Sequence, residues 1–337
     1  MTEPGSFGTV TTCRESPKQM REFVNYYLNL GASWIIIYFD DPHDWTISQF
    51  EKEPRVIRRI CDEQHWHSLI GHSPISIEEA QICNIRQGIS ILKEKGVSWV
   101  ASIDADELLH TRRRITDVLA AAEPQTDVIR VKPVEAIQHW RMDKALDFGS
   151  RYFRVPLTVP GSRQASVAKR FDSGRKPFAK AGLFGHLHGK LIFRSNLPID
   201  EYRLHVVSSS TRELREIVID DLDLLHFDAM NYLIWERKWM RRILGETVVL
   251  RASPRRRRQE EQIRRVYETS GRRGLERLFQ EWHYLSPVAL FALRRAGVVK
   301  RVTIPSYCFS GPVREIADAD KASLGAVKSQ AGGSAIT

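Results

Sequence analysis

Asp104 and Asp106 flank Ala105 directly after a mostly apolar stretch, SWVASI at 98–103. In extended backbone, residues two apart point the same way, so both carboxylates can aim at one point while Ala105 turns aside. Two hard oxygen donors of this kind suit Mg2+ or Mn2+, ions that keep waters and take further oxygens from substrate phosphates. Short Asp-x-Asp triplets are common on solvated loops; this one is set apart by its place at the exit of a buried strand. Glu107 follows the pair and is expected to face the other way, behind it. Other acids stand at comparable points. Glu15 lies just past the run GTVTTC (8–13), and Asp40, Asp41 and Asp44 lie just past WIIIYF (34–39). Each has a plainer use as well: Glu15 beside a helix N-terminus, Asp44 as a turn cap.

The elements that must position these acids can be read around them. GTVTTC reads as a first buried strand. Ser16-Pro17 opens a helix as N-cap and first-turn proline. Met20, Phe23, Val24, Tyr27 and Leu28 recur at helical spacing until Gly31, and WIIIYF is a strand of the kind buried on both faces. This βαβ unit predicts a parallel sheet. Ser76 and Glu79 form a capping box for a helix to about Lys95, closed by Gly96, and SWVASI and TDVIRVKP (126–133) are further strands. Residues 151–195 carry short strand-like pieces. From about 211 to 245 the periodicity reads as helical, and 246–301 as basic helices interrupted at Pro254, Gly271 and Gly274. The result is an α/β body with acids at strand ends, where open α/β sheets bind ligands. No GxGxxG follows the first strand and no GxxxxGK[ST] occurs anywhere, which disfavours dinucleotide oxidoreductases and P-loop NTPases.

Charge and composition bound the rest. The 337 residues carry 51 Lys/Arg and 41 Asp/Glu, a net charge of +10. Residues 251–301 hold 14 basic and 5 acidic residues, which leaves 37 against 36 for everything else. The body is neutral and the charge is local. Nucleic-acid binding through RASPRRRRQEEQIRRVYETSGRRGLER is a rival reading, but glutamates interleave with the arginines and no known module surrounds them. Contact of this run with an anionic membrane surface is another expectation. The four cysteines form no CxxC, no apolar run approaches a membrane span, and the first residues do not read as a secretion signal, so a cytoplasmic location is expected.

Several segments together resemble one family. Residues 11–46 are similar to the opening of glycosyltransferase family 2-like enzymes, in particular the bacterial subgroup related to domain of unknown function 23 and family 92. The matching pieces are Arg14-Glu15, Phe23 to Tyr27, Leu30-Gly31, and Asp40 on to Asp44-Trp45-Thr46. WVASIDADELL resembles the family's strand and metal motif, GKLIFR (189–194) its Gly-Lys segment, and LLHFDAMNYLIWERKW (224–239) its histidine segment and following helix. Tyr27 stands where the family often has His, Phe227 where it has Tyr, and Trp45 where it has Gly.

The resemblance implies a GT-A type, Rossmann-like, mostly parallel central sheet flanked by helices. The resemblance covers about 10–245, so 1–245 is expected to be the catalytic domain; the residue pattern makes 246–310 a basic helical extension and the small, polar 311–337 a disordered tail. The resemblance implies transfer of a sugar from a nucleotide-diphosphate donor to a saccharide or lipid-linked acceptor, in surface polysaccharide or glycolipid synthesis. Asp104, Asp106 and His226 would hold Mn2+ or Mg2+. Glu15, Asp40, Asp41 and Asp44 would contact base and ribose, and Lys190 the phosphates. An inverting enzyme needs a carboxylate base, for which Asp143, Asp147 and Glu135 are candidates. His186, His188 and His205 lie in the same region without an assigned role. A metal-dependent phosphatase or phosphotransferase would use the same carboxylates, although Asp104-Ala105-Asp106 lacks the Thr of a DxDxT nucleophile motif.

Overall fold

The computed structural model describes residues 3–314 apart from 173, 176 and 251. In chain order the elements are β1 (Phe7–Cys13), α1 (Pro17–Leu30), β2 (Trp34–Phe39), β3 (Val56–Ile60), α2 (Glu63–Ile70), α3 (Ile77–Glu94), β4 (Trp99–Ser102), β5 (Glu107–His110), α4 (Ile115–Ala120) and β6 (Val128–Ala136). They continue with β7 (Tyr152–Arg154), α5 (Arg163–Phe171), β8 (Lys190–Arg194), β9 (Glu201–Arg203), β10 (Val206–Ser208), β11 (Glu216–His226), α6 (Tyr232–Ile243), α7 (Pro254–His283), α8 (Pro287–Arg295) and β12 (Val299–Arg301). Single 3-10 turns cover Trp45–Phe50 and Ser306–Phe309.

The main sheet runs β12-β7-β6-β8-β4-β1-β2-β3, with β11 against β6 and β5 against β11. Seven of these ten strands point one way; β5, β7 and β8 run opposite. The expected α/β, mostly parallel sheet flanked by helices is therefore observed. The apolar run of β2 is explained by its two faces. Ile35, Ile37 and Phe39 join the core layer of α1, while Ile36 and Tyr38 join the layer that includes Ile85 and Leu92 of α3. Both helices start where the sequence says. Ser16 Oγ accepts from the Gln19 amide, and Gly31 closes α1 at φ +100°. Ser76 Oγ accepts from the Glu79 amide, and the Glu79 carboxylate accepts from the Ile75 amide at 2.7 Å.

One expectation is corrected. Residues 216–226 form β11 rather than a helix, because they pair along β6 and then β5. Within 151–195 the strand-like pieces RYFRVP and KLIFR are β7 and β8, and helix α5, capped by Ser162, lies between them. The segment 246–310 packs into the body. Trp235 and Trp239 of α6 pack with Ile263, Leu275 and Phe279 of α7, which bends at Gly271, while β12 pairs with β7. Of the basic run 255–258, Arg255 donates to the Leu183 carbonyl and Arg258 to the Pro177 carbonyl, both facing the body. Of the expected tail, Val313 is buried and bonded to Asn25; residues 315–337 lie outside the described residues. No described helix is long and apolar enough to cross a membrane.

Candidate functional site

Strand direction gathers the chemistry on one edge. β1, β2 and β4 are parallel, so their carboxyl ends coincide, bringing together Glu15, Asp40 and the Asp104–Asp106 turn. β8 runs against β4, which puts its first residue, Lys190, at that same edge. β6 runs against β8 and β11 runs with β6, so His226, the last residue of β11, also ends there, between Glu107 and Glu135. A cleft of about 450 Å³ follows this edge. Its far wall is the stretch after α6, whose Val248 carbonyl accepts from the Ile77 amide at the start of α3.

Two clusters of acids with a lysine in each occupy the cleft floor. In the first, Lys190 Nζ lies 2.7 Å from Asp104 Oδ2 and 3.6 Å from Glu107 Oε2, and His186 Nε2 lies 3.0 Å from Glu107 Oε1. Gln81 donates to Asp104 at 3.1 Å. Burial disfavours the charged form of both acids, but Lys190 outweighs it at Asp104 and holds that carboxyl at about 2. At Glu107, which is wholly buried, burial prevails over Lys190 and raises the carboxyl to about 8. Burial, then His226, hold His186 well below the usual imidazole range. In the second cluster Lys238 Nζ bridges Asp106 at 2.9 Å and Asp228 at 3.0 Å, and His226 Nε2 lies 3.8 Å from Asp106. Burial opposes ionisation of Asp228, yet Lys238 and then Arg256 keep it well below the ordinary carboxylate range.

The chain matches no family model and no curated protein. Among solved structures it is similar to HddC from Yersinia pseudotuberculosis, at 12% identity over 68% of this chain and 99% of that one, with a TM-score of 0.33. It is also similar to 4-diphosphocytidyl-2C-methyl-D-erythritol synthase from Anaerococcus prevotii, at 9% identity over 64% and 89%, with a TM-score of 0.32. Scores this low say nothing of activity, and the chemistry has to be read from the residues.

Of the residues expected to bind the ion, Asp106 and His226 share a cluster with Asp228, each offering one ligand atom within 4.8 Å of the others. Asp104 falls in the other group, with Glu107 and His186. Glu107, expected to face away from Asp104, instead turns back and accepts from the Asp104 amide. The set Asp106, His226 and Asp228 fits a divalent ion better, because all three line the cleft whereas Glu107 does not. Two carboxylate oxygens suit Mn2+ and Mg2+ alike, and Mn2+ also takes an imidazole nitrogen.

Glu15 and Asp40 line the cleft. Burial, with Asp106 beside it, raises the Glu15 carboxyl although Arg237 lies 3.2 Å away. Asp41 accepts from the His43 amide and Asp44 from the Thr46 amide, so both serve the turn after β2. None of the base candidates lines the cleft. Glu135 accepts from the Phe184 and Gly185 amides, Asp147 lies 3.4 Å from Lys18, and Asp143 accepts from the Ala145 amide. Sequence reasoning missed Lys238, Asp228, Arg242 and Arg256. Asp228 carried a signal: it follows His226 by two residues, the same spacing that marked Asp104 and Asp106.

Proposed function

We propose that this protein is a metal-assisted glycosyltransferase that moves a sugar from a nucleotide-diphosphate donor to an acceptor hydroxyl, a saccharide or lipid-linked molecule. The observation that carries the reading is the convergence of Asp106, His226 and Asp228 in one cleft with Glu15 and Asp40, at the carboxyl ends of parallel strands. Asp106, His226 and Asp228 would hold the ion, Mn2+ or Mg2+. When bound it supplies Lewis-acid neutralisation of charge on the departing nucleotide. Glu15 and Asp40 accept N–H and O–H bonds from base and ribose. Lys190, wholly buried against Asp104 and Glu107, holds Asp104 in place. Lys238 keeps Asp106 and Asp228 together, neutralising two acids that would otherwise repel.

The test is a thermal-shift panel of UDP-, GDP- and dTDP-sugars with and without Mn2+, followed by a transfer assay. One donor is expected to stabilise the protein only with Mn2+. Asp106→Asn is expected to lose at least about tenfold in Mn2+ affinity while keeping its fold. Hydrolysis of phosphate monoesters without sugar transfer would favour the phosphatase chemistry instead. An unaltered Mn2+ response in a folded Asp106→Asn protein would remove Asp106 from the ion site.

A further inference from the structure

Arg242, in the last turn of α6, and Arg256, in the first turn of α7, meet across Trp239. Each guanidinium carbon lies 5.2 Å from the Trp239 ring centroid, and Trp239 is buried. Both arginines line the cleft. Their neighbours Arg237, Arg264 and Arg272 each have a carboxylate in ion contact, but among the described residues neither Arg242 nor Arg256 has one. Asp228, which feels the charge of Arg256, is in contact with Lys238 instead. Nη1 of Arg256 is buried without any hydrogen-bond partner. Burial, then the charge of Arg256, lower the proton affinity of Arg242 to about 10.

Two half-buried cations packed on one indole, Arg242 feeling the charge of Arg256 and Arg256 with an orphaned N–H, form an unfavourable arrangement on their own. An anion in the cleft that reaches both would relieve it. Guanidinium forks match phosphate oxygens in pairs, and stacking on one indole fixes the planes of both forks. Ser253 caps α7 beside Arg256, so the positive end of that helix adds to the same field.

We propose that Arg242 and Arg256 form a phosphoryl-binding subsite in the cleft wall that works without the divalent ion. The proposal rests on the glycosyltransferase reading only for the source of the phosphoryl group: the diphosphate of the donor, or a phosphate carried by the acceptor.

The experiment titrates inorganic pyrophosphate into the full chain in EDTA by calorimetry. Binding is expected, weakened about tenfold or more in Arg242→Gln and in Arg256→Gln. If UDP or GDP displaces pyrophosphate one for one, the subsite belongs to the donor; if both bind together, it belongs to the acceptor. Should a glutamine variant melt early, Arg256→Lys carries the test. It keeps the stem on Trp239 and the charge but loses the fork, and is expected to bind pyrophosphate more weakly while melting like the parent. Absence of pyrophosphate binding, or equal affinity in the folded variants, would overturn the subsite. Pyrophosphate binding without sugar transfer would leave the subsite standing and sink the transferase reading; transfer with unaltered arginine variants would do the reverse.

Discussion

Replacing Gly185 with alanine asks whether His226 must stand where it does. Gly185 lies in the loop before β8, and its amide donates to Glu135 Oε2 at 2.6 Å. A Cβ at this position would lie 2.3 Å from His226 Cε1 and 2.5 Å from its Nδ1, where ordinary contact begins at 3.4 Å. The ring must therefore give way by about 1 Å. Its backbone cannot follow, because β11 is paired on both sides at this point, with Glu107 and with Glu135. Overpacking of this kind costs about 1–3 kcal/mol, which in a protein of this size lowers the melting temperature by about 1–4 °C. Metal ligands tolerate errors of only about 0.2 Å, so Mn2+ affinity should suffer more than stability, by about tenfold or more. The assay pairs a melting curve with a Mn2+ titration. A variant that melts lower yet binds Mn2+ like the parent would show that His226 is a core histidine and no ligand. Unchanged melting would refute the close approach itself.

Two further perturbations test the electrostatics. Lys190→Met leaves the ionised Asp104, 2.7 Å away, without its cation, and should cost about 3 kcal/mol in denaturant unfolding, with Asp104→Asn added to the variant recovering part of it; a loss under about 1 kcal/mol would mean that the pair behaves like a surface contact. His283 is buried against Phe184 with no partner for Nε2, and burial lowers its pKa from 6.5 to about 3. The unfolded chain takes up this proton below 6.5 and the folded chain does not until about 3, so the stability is present above 6.5 and lost as pH falls through that window. His283→Phe should flatten the stability–pH curve by about 1.4 kcal/mol per unit between about pH 6 and about pH 4; parallel curves for parent and variant would refute a neutral buried imidazole.

β1, β2 and β4 were legible because parallel strands buried on both faces leave stretches without a charged residue, unbroken and apolar in β2, and α1 and α3 because their caps are written in Ser16, Gly31 and Ser76. β11 was not, because its first half is exposed: Glu216, Val218 and Asp220 face solvent, and only its last residues enter the core. α5 buries Ala168 alone and so shows no apolar stripe. Asp104 and Asp106 announced themselves by spacing. Their lysines did not. Lys190 looked like a phosphate ligand, and Lys238, 132 residues from Asp106, sits in a stretch whose pattern shows a helix but not what its basic residues face. Pairing of charges across such separations is decided by topology, which a local pattern does not carry.

The amide of Asn25, on α1, donates to the carbonyl of Val313, 288 residues later, and Phe309 stacks on Tyr26 with ring centroids 5.6 Å apart. On a ribosome these partners are made far apart in time. At about 5–20 residues per second, the outer face of α1 waits from roughly fifteen seconds to a minute for its cover, and the free edge of β7 waits about half as long for β12. Until then the nascent sheet offers an unpaired strand to any neighbour, a surface that holding chaperones recognise. The late segment acts as a latch, so the cleft edge can be assembled early but the body around it is sealed last.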